Sequence, residues 1–185
     1  MRSRKTPAAS RQIALLRGVN VGRAKRVAMA ELRAVVEGLG YGDVRTLRNS
    51  GNVLFTAAEA TAGVAGARIE EAVAVRLGVE ARVLVVGADE LATIVAENPL
   101  ADESRDPARL LVAFLADPAD RRALAAIRPR APEALAVGSR AAYVWCPEGV
   151  LACRTLAEVQ RAVGDRITTR NWATVLDLQA LAGSG

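Results

Sequence analysis

Val44-Arg45-Thr46-Leu47-Arg48-Asn49-Ser50-Gly51-Asn52-Val53-Leu54-Phe55-Thr56 decides how this chain is read. Two β-prone runs, Val44 to Arg48 and Val53 to Thr56, flank Asn49-Ser50-Gly51-Asn52. Asn and Gly accept the positive φ that a tight reversal demands, so a hairpin is expected here. Upstream lie a short apolar strand, Gln12 to Val19, and a helix of about Met29 to Leu39. That helix repeats Leu32, Val35, Val36 and Leu39 on one face and stops at Gly40. Downstream, Ile69, Val73 and Leu77 fall at i, i+4 and i+8 in a helix of about Ala62 to Leu77, closed by Gly78. Arg82 to Val86 is the last strand of the set. The βαββαβ order is that of a ferredoxin-like α-β plait.

The same order starts again further on. A connecting helix carries Leu91, Ile94 and Val95, with Asp89 as its expected cap, and breaks near Asn98-Pro99. Ala101 to Pro107 is polar, acidic and turn-rich, as a linker is. Leu110 to Leu115 reads as a strand, and Asp117-Pro118 opens a helix with a cap and a proline at the first position. Ala134 to Val137 and Ala141 to Cys146 form a hairpin over Gly138-Ser139. A helix follows over Thr155 to Val163, then an extended piece over Ile167 to Thr169, then a last helix from about Asn171 to Leu181. The expected fold is α+β, two ferredoxin-like plaits in tandem with an additional C-terminal helix. Residues 1–11 are expected as a disordered basic leader, 12–98 as the first plait with the connecting helix, and 108–185 as the second.

Composition removes several chemistries. Histidine is absent from the 185 residues, which excludes Ser-His-Asp and Cys-His nucleophile systems and imidazole bases. Two cysteines, Cys146 and Cys153, are too few for an all-thiolate zinc site in one chain. No metal and no cofactor is expected. Asp102, Glu103 and Asp106 read as solvated linker. No apolar run reaches the ~20 residues that span a bilayer, and no signal-like apolar stretch follows the basic start. The cytoplasm, with both thiols reduced, is the expected location. A net charge of +5 and a pI near 10 lean toward anionic partners. Much of that excess sits in Arg2, Arg4, Lys5 and Arg11.

Three segments invite a functional reading. In Leu15-Leu16-Arg17-Gly18-Val19-Asn20-Val21-Gly22-Arg23-Ala24-Lys25-Arg26 an apolar strand ends at an arginine and passes into a glycine-containing turn. Cations follow, just before a helix, which suits a phosphate or carboxylate. A plain strand-to-helix turn with solvated charges stands beside that reading. The segment is neither a Walker A loop nor a dinucleotide fingerprint. Asn49-Ser50-Gly51-Asn52 serves a tight turn first, and next to Arg45 and Arg48 also offers donors to a ligand. In Thr168-Thr169-Arg170-Asn171-Trp172, Thr169 or Asn171 suits a helix cap and Trp172 a docking residue, while Arg170 beside an indole suits a planar anion. Cys146 reads as core.

Leu15 to Gly22, Met29-Ala30-Glu31-Leu32-Arg33, Ser50-Gly51-Asn52-Val53 and Thr168 to Trp172, in this order and spacing, resemble the bacterial domain-of-unknown-function family 1697. The resemblance spans nearly the whole chain after the leader and implies two tandem α-β plaits and no established reaction. The chain departs from that family's pattern at Arg23, where a second glycine is usual, and at Ala28, often proline. Leu47 and Asn49 stand in place of tyrosine and glutamine. Cys153-Arg154-Thr155-Leu156 replaces the usual Ser-Lys-Leu, which leaves Arg154 as the nearby cation.

The expected function is binding of an anionic small molecule in a cleft between the domains. Its expected ligand-binding residues are Arg17, Gly18, Asn20, Gly22, Ser50, Asn52, Arg170 and Asn171. Weak, sequence-independent nucleic-acid binding and a histidine-independent enzyme on a phosphorylated small molecule are the alternatives. Catalytic residues and oligomeric state are not indicated by the sequence.

Overall fold

The computed structural model describes residues 9–20, 26–57, 62–102 and 106–184. The fold is mixed α+β: two four-stranded antiparallel sheets and, among the described residues, six α-helices. The chain divides into two compact units, Met1–Asp89 with Leu181–Gly185, and Glu90–Ala180. None of the described helices is long and apolar enough to cross a membrane.

Unit 1 contains β1 (Ser10–Arg17), α1 (Met29–Glu37), β2 (Gly42–Leu47), β3 (Asn52–Ala57), α2 (Ala62–Leu77) and β4 (Arg82–Gly87). The strand order is β2-β3-β1-β4. The central β1 pairs with β3 from Ser10↔Ala57 to Leu15↔Asn52, and with β4 from Gln12↔Gly87 to Arg17↔Arg82. Ser10 and Arg11 are thus the first residues of a strand rather than the end of a leader. Ile13, Ala14, Leu15 and Leu16 are all buried. A strand covered on both faces reads as a continuous apolar run rather than an alternating one.

Leu32, Val35 and Val36 of α1 and Ala65, Ile69 and Val73 of α2 pack against Ala14, Leu16, Val53, Phe55 and Val85. The Tyr41 and Phe55 rings meet at 4.7 Å, and the Arg68 guanidinium lies 5.3 Å from the Tyr41 ring centre. Helix α1 ends at Glu37, two residues before its last apolar position, and Gly40 at φ +85° completes the turn. The edge strand β4 is held by α2. The Val83 amide donates to Glu70 Oε1 at 2.6 Å, and a Cβ on Gly66 would stand 2.9 Å from the Val83 carbonyl oxygen. A glycine there lets the helix approach the edge closely.

Unit 2 takes in most of α3 (Ala88–Ala96), then β5 (Leu110–Leu115), α4 (Arg121–Ala125), β6 (Ala134–Val137), β7 (Ala141–Trp145), α5 (Arg154–Val163), β8 (Ile167–Asn171) and most of α6 (Trp172–Gly183). Its sheet repeats the order of the first, β6-β7-β5-β8. Asp117 caps the turn before α4 by accepting from the Ala119 amide at 2.8 Å, with Pro118 in the first position. Asp89 is already the second residue of α3, so it is not that helix's cap.

The connecting helix was expected with the first half of the chain, yet from Glu90 onward it falls in unit 2. Its hydrogen bonds explain why. The Tyr143 hydroxyl donates to the Ile94 carbonyl at 2.6 Å, Ser139 Oγ donates to Glu97 at 2.8 Å, and Arg140 pairs with Glu90. Tyr143 is fully buried and its phenol is pushed far above its usual range, chiefly by desolvation. Such an O–H must find a partner inside the fold, and α3 supplies it.

Candidate functional site

The turn after β1 and the β2–β3 hairpin are built as one piece. Gly51, at φ +70°, passes so close to β1 that a Cβ would lie 2.4 Å from Val19 Cγ2 and 2.9 Å from Leu16 Cβ. Its carbonyl accepts the Leu16 amide at 2.8 Å. Asn20, at φ +55°, fastens the two segments. Its Nδ2 donates to the carbonyls of Val27 at 3.0 Å and Asn49 at 2.8 Å, and its Oδ1 accepts from the Val27 amide at 2.8 Å. Both amide protons and the carbonyl oxygen of Asn20 are therefore engaged within the fold. Asn of all side chains tolerates this backbone and bridges backbone groups across it.

Asn52 was expected in the turn. It is instead the first residue of β3, fully buried, opposite Leu47 and Leu15. Its Nδ2 donates to the Leu47 carbonyl at 3.0 Å and to Ser50 Oγ at 2.9 Å. Ser50 is exposed beside it. Gly18 is exposed at φ +82°, and nothing lies within 4 Å of a Cβ built on it, so its backbone angle rather than lack of space calls for glycine. Arg17 closes β1, half-buried, opposite Arg82. Gly22 lies outside the described residues.

Next to Asn20 the surface opens into a recess of about 450 Å³, lined by Asn20, Arg26, Val27, Ala28, Met29 and Asn49. It sits at the start of α1, where Ala28 supplies no side-chain cap. Glu31 is the acidic residue of the first turn, and its side chain is exposed. Arg26 and Asn49 lie within two of the segments read as candidate sites, but neither is among the expected ligand-binding residues. The cluster of cations before α1 carried a signal for Arg26; nothing in the sequence marked the Asn49 carbonyl.

The third segment belongs to unit 2. Arg170 stands opposite Val112 in β8 and donates from a guanidinium N–H to the Thr169 carbonyl at 2.8 Å. It is half-buried rather than exposed, and desolvation pushes its pKa down to about 10. Asn171 caps α6, its Oδ1 accepting from the Thr174 amide at 3.0 Å. Trp172 opens that helix and is buried. The capping and docking roles are thus filled, by Asn171 and Trp172. Arg17, Gly18, Asn20, Ser50 and Asn52 belong to unit 1, and Arg170 and Asn171 to unit 2.

At the position where Arg154 replaces a lysine, a different group dominates. Glu133 lies across the start of α5, accepting from the Thr155 hydroxyl at 2.5 Å, the Thr155 amide at 2.8 Å and the Arg154 amide at 3.0 Å. These bonds, the hydroxyl first, hold its carboxyl below the ordinary glutamate range. The α5 N-terminus is filled by the chain's own carboxylate. Cys146 and Cys153 are both buried in the unit 2 core, and burial pushes the Cys146 thiol far up. A thiol so raised is a packing residue rather than a nucleophile.

Residues 9–143 match the family described as protein of unknown function, DUF1697. The chain belongs to that family. Among solved structures, it is similar to one titled "The structure of conserved bacterial protein SP0830 from Streptococcus pneumoniae", with a TM-score of 0.72 and 24% identity. The match covers 95% of this chain and 99% of that one, and shows that the two share a fold. No curated protein matches the sequence. Membership in DUF1697 carries no assigned reaction, so any function rests on the chain's own residues.

Proposed function

We propose that this protein binds an anionic small ligand, bearing a phosphate or a carboxylate, at the turn that follows β1. The observation that carries the reading is the recess at the uncapped start of α1, with Arg26 and the Asn20–Asn49 bridge in its wall. First-turn amides lack intrahelical acceptors and the helix dipole favours negative charge there. Arg17, Gly18 and Gly22 complete the proposed binding turn, while Asn20, Ser50 and Asn52 hold its shape. Arg170 and Asn171 are proposed as further contacts.

The same reading takes each unit as a ferredoxin-like plait, supported by the repeated order β2-β3-β1-β4 and β6-β7-β5-β8. It places the protein in the cytoplasm, in keeping with two buried, unbridged thiols.

The test is a titration with inorganic phosphate at constant ionic strength, followed by thermal unfolding. Binding raises the midpoint saturably, and Arg26→Gln and Arg170→Ala each weaken the apparent affinity. An equal rise with chloride, or a response linear in salt with no saturation, refutes the reading.

A further inference from the structure

An open sheet ends in edge strands whose outward backbone groups can pair with another chain, and folds blunt such edges. Three edges here are blunted by the chain itself. β2 carries a register shift between Gly42 and Arg45, with Asp43 at φ +47°. On β4 the Val83 amide donates to Glu70, and on β8 the Thr169 carbonyl accepts the Arg170 guanidinium. The remaining edge is β6. The Gly138 amide donates to the Ala141 carbonyl at 2.8 Å, which fixes the alternation along the hairpin. Ala136 and Ala134 therefore bond to β7, and the N–H and C=O groups of Leu135 and Val137 point away from the sheet. Among the described residues these outward groups have no hydrogen-bond partner. Beside them opens a recess of about 570 Å³ between β6 and the Pro118–Ala125 segment, lined by Pro118, Ala119, Arg121, Arg122, Ala125 and Val137.

We propose that β6 is the docking edge for an extended, acidic peptide segment of a partner protein, which pairs with Leu135 and Val137 as a new edge strand and sets its carboxylates on Arg121 and Arg122. Main-chain bonds to an edge supply affinity, and alternate side chains entering a neighbouring recess supply selectivity. The recess selects for acidic chains because the nearby carboxylates are already engaged within unit 2. Asp117 accepts the Ala119 amide, and Asp120 takes the Arg166 guanidinium at 2.7 and 2.9 Å. Glu97 accepts both the amide and the hydroxyl of Ser139, with Arg121 as a further positive neighbour. Arg121 and Arg122 are exposed, as are Arg128 and Arg130 on the segment that leads into β6. A carboxylate meets a guanidinium fork with charge-assisted bonds, whereas a second copy paired edge to edge would bring these same arginines together. The inference is independent of the anion site proposed at the start of α1.

The probe is a fluorescein-labelled peptide in which valine alternates with glutamate, titrated with the full chain at fixed ionic strength and read by fluorescence anisotropy. Binding is expected to saturate, and to weaken about tenfold or more when lysine replaces the glutamates. Arg122→Gln should weaken it about tenfold, the loss of one charge-assisted partner, while Arg33→Gln, which removes the same charge from unit 1, leaves it unchanged. N-methylation of one alternate set of peptide amides should abolish binding and methylation of the other set should not, because only one set faces β6. Val137→Pro removes an outward N–H and spares the β6–β7 ladder, so it should weaken the peptide too; the methylated peptides decide the point on the wild-type chain if that variant does not fold. No saturable binding, equal affinity for the lysine peptide, or equal effects of the two methylation patterns overturns the proposal. A dimer seen by sedimentation and dissolved by Val137→Pro, with no peptide bound, assigns the edge to a second copy and overturns it as well.

Discussion

Asn20→Ala should be the most damaging polar substitution in unit 1. The alanine removes three hydrogen bonds at once, to the Val27 amide and to the Val27 and Asn49 carbonyls. Val27 is buried, so its amide is left without an acceptor in a place water reaches poorly. An orphaned buried donor costs roughly 1–3 kcal/mol, and each bond to a carbonyl that water can still reach about 0.5–1 kcal/mol. The backbone adds to this. Asn20 sits at φ +55°, where alanine costs roughly 1 kcal/mol more than asparagine or glycine. The total comes to about 3–6 kcal/mol. Asn20→Gly keeps the backbone term small and should lose about 2–5 kcal/mol through the same missing bonds, about 1 kcal/mol less than Asn20→Ala. Urea denaturation of the three proteins gives the stability order wild type, Asn20→Gly, Asn20→Ala. Native-state hydrogen exchange of the Val27 amide should speed up in both variants. An Asn20→Ala protein within about 0.5 kcal/mol of wild type, with Val27 protection intact, would refute the account of this residue as the fastener of the turn.

Gly51→Ala combines a left-handed backbone with contacts of 2.4 and 2.9 Å to Val19 and Leu16, and should cost roughly 2–4 kcal/mol by chemical denaturation. Tyr143→Phe deletes a buried bond to the Ile94 carbonyl and should lower stability by about 1 kcal/mol or somewhat more; an unchanged denaturation midpoint would show that α3 is held by packing alone. Glu133 has a folded pKa below its ordinary value of 4.5, so its contribution is complete above that value and disappears as pH falls through the lowered one. Glu133→Gln should therefore flatten the acid limb of a stability-versus-pH curve, and an identical limb in wild type and variant would count against the cap. Nucleic-acid binding, if detected by fluorescence anisotropy, should be sequence-independent and lost with modest salt because counterion release drives it. Deleting Met1 to Ser10 should remove most of it, whereas base-specific binding that survives salt and deletion would sink the expectation.

Most of the secondary structure can be read from local chemistry. Asn49-Ser50-Gly51 marks the hairpin because positive φ is a property of residue type, and Leu32, Val35 and Val36 mark α1 because a helix repeats its face every 3.6 residues. Asn171 declares itself as a cap by its place before an apolar helix. The misplacements have a shared cause. Ser10 and Arg11 look like a polar leader until β3 and β4 flank β1, and Asn52 looks like a turn residue until Leu47 and Leu15 are set beside it.

The site divides in the same way. Composition alone rules out imidazole chemistry, since no histidine is present, and the motif order alone points to the family. Residue type already suggests that Gly18 and Asn20 shape a turn. What local sequence does not contain is register. Arg17 and Arg82 are 65 positions apart, and nothing within either segment says that β1 and β4 pair them. Glu133 reaches the start of α5 from an equally silent loop, and the union of α3 with the second sheet depends on a phenol that needed an acceptor. Backbone preference and hydrophobic period act within a few residues and can be read in order along the chain. Strand pairing and satisfaction of buried polar groups act between segments, and the tertiary structure alone decides them.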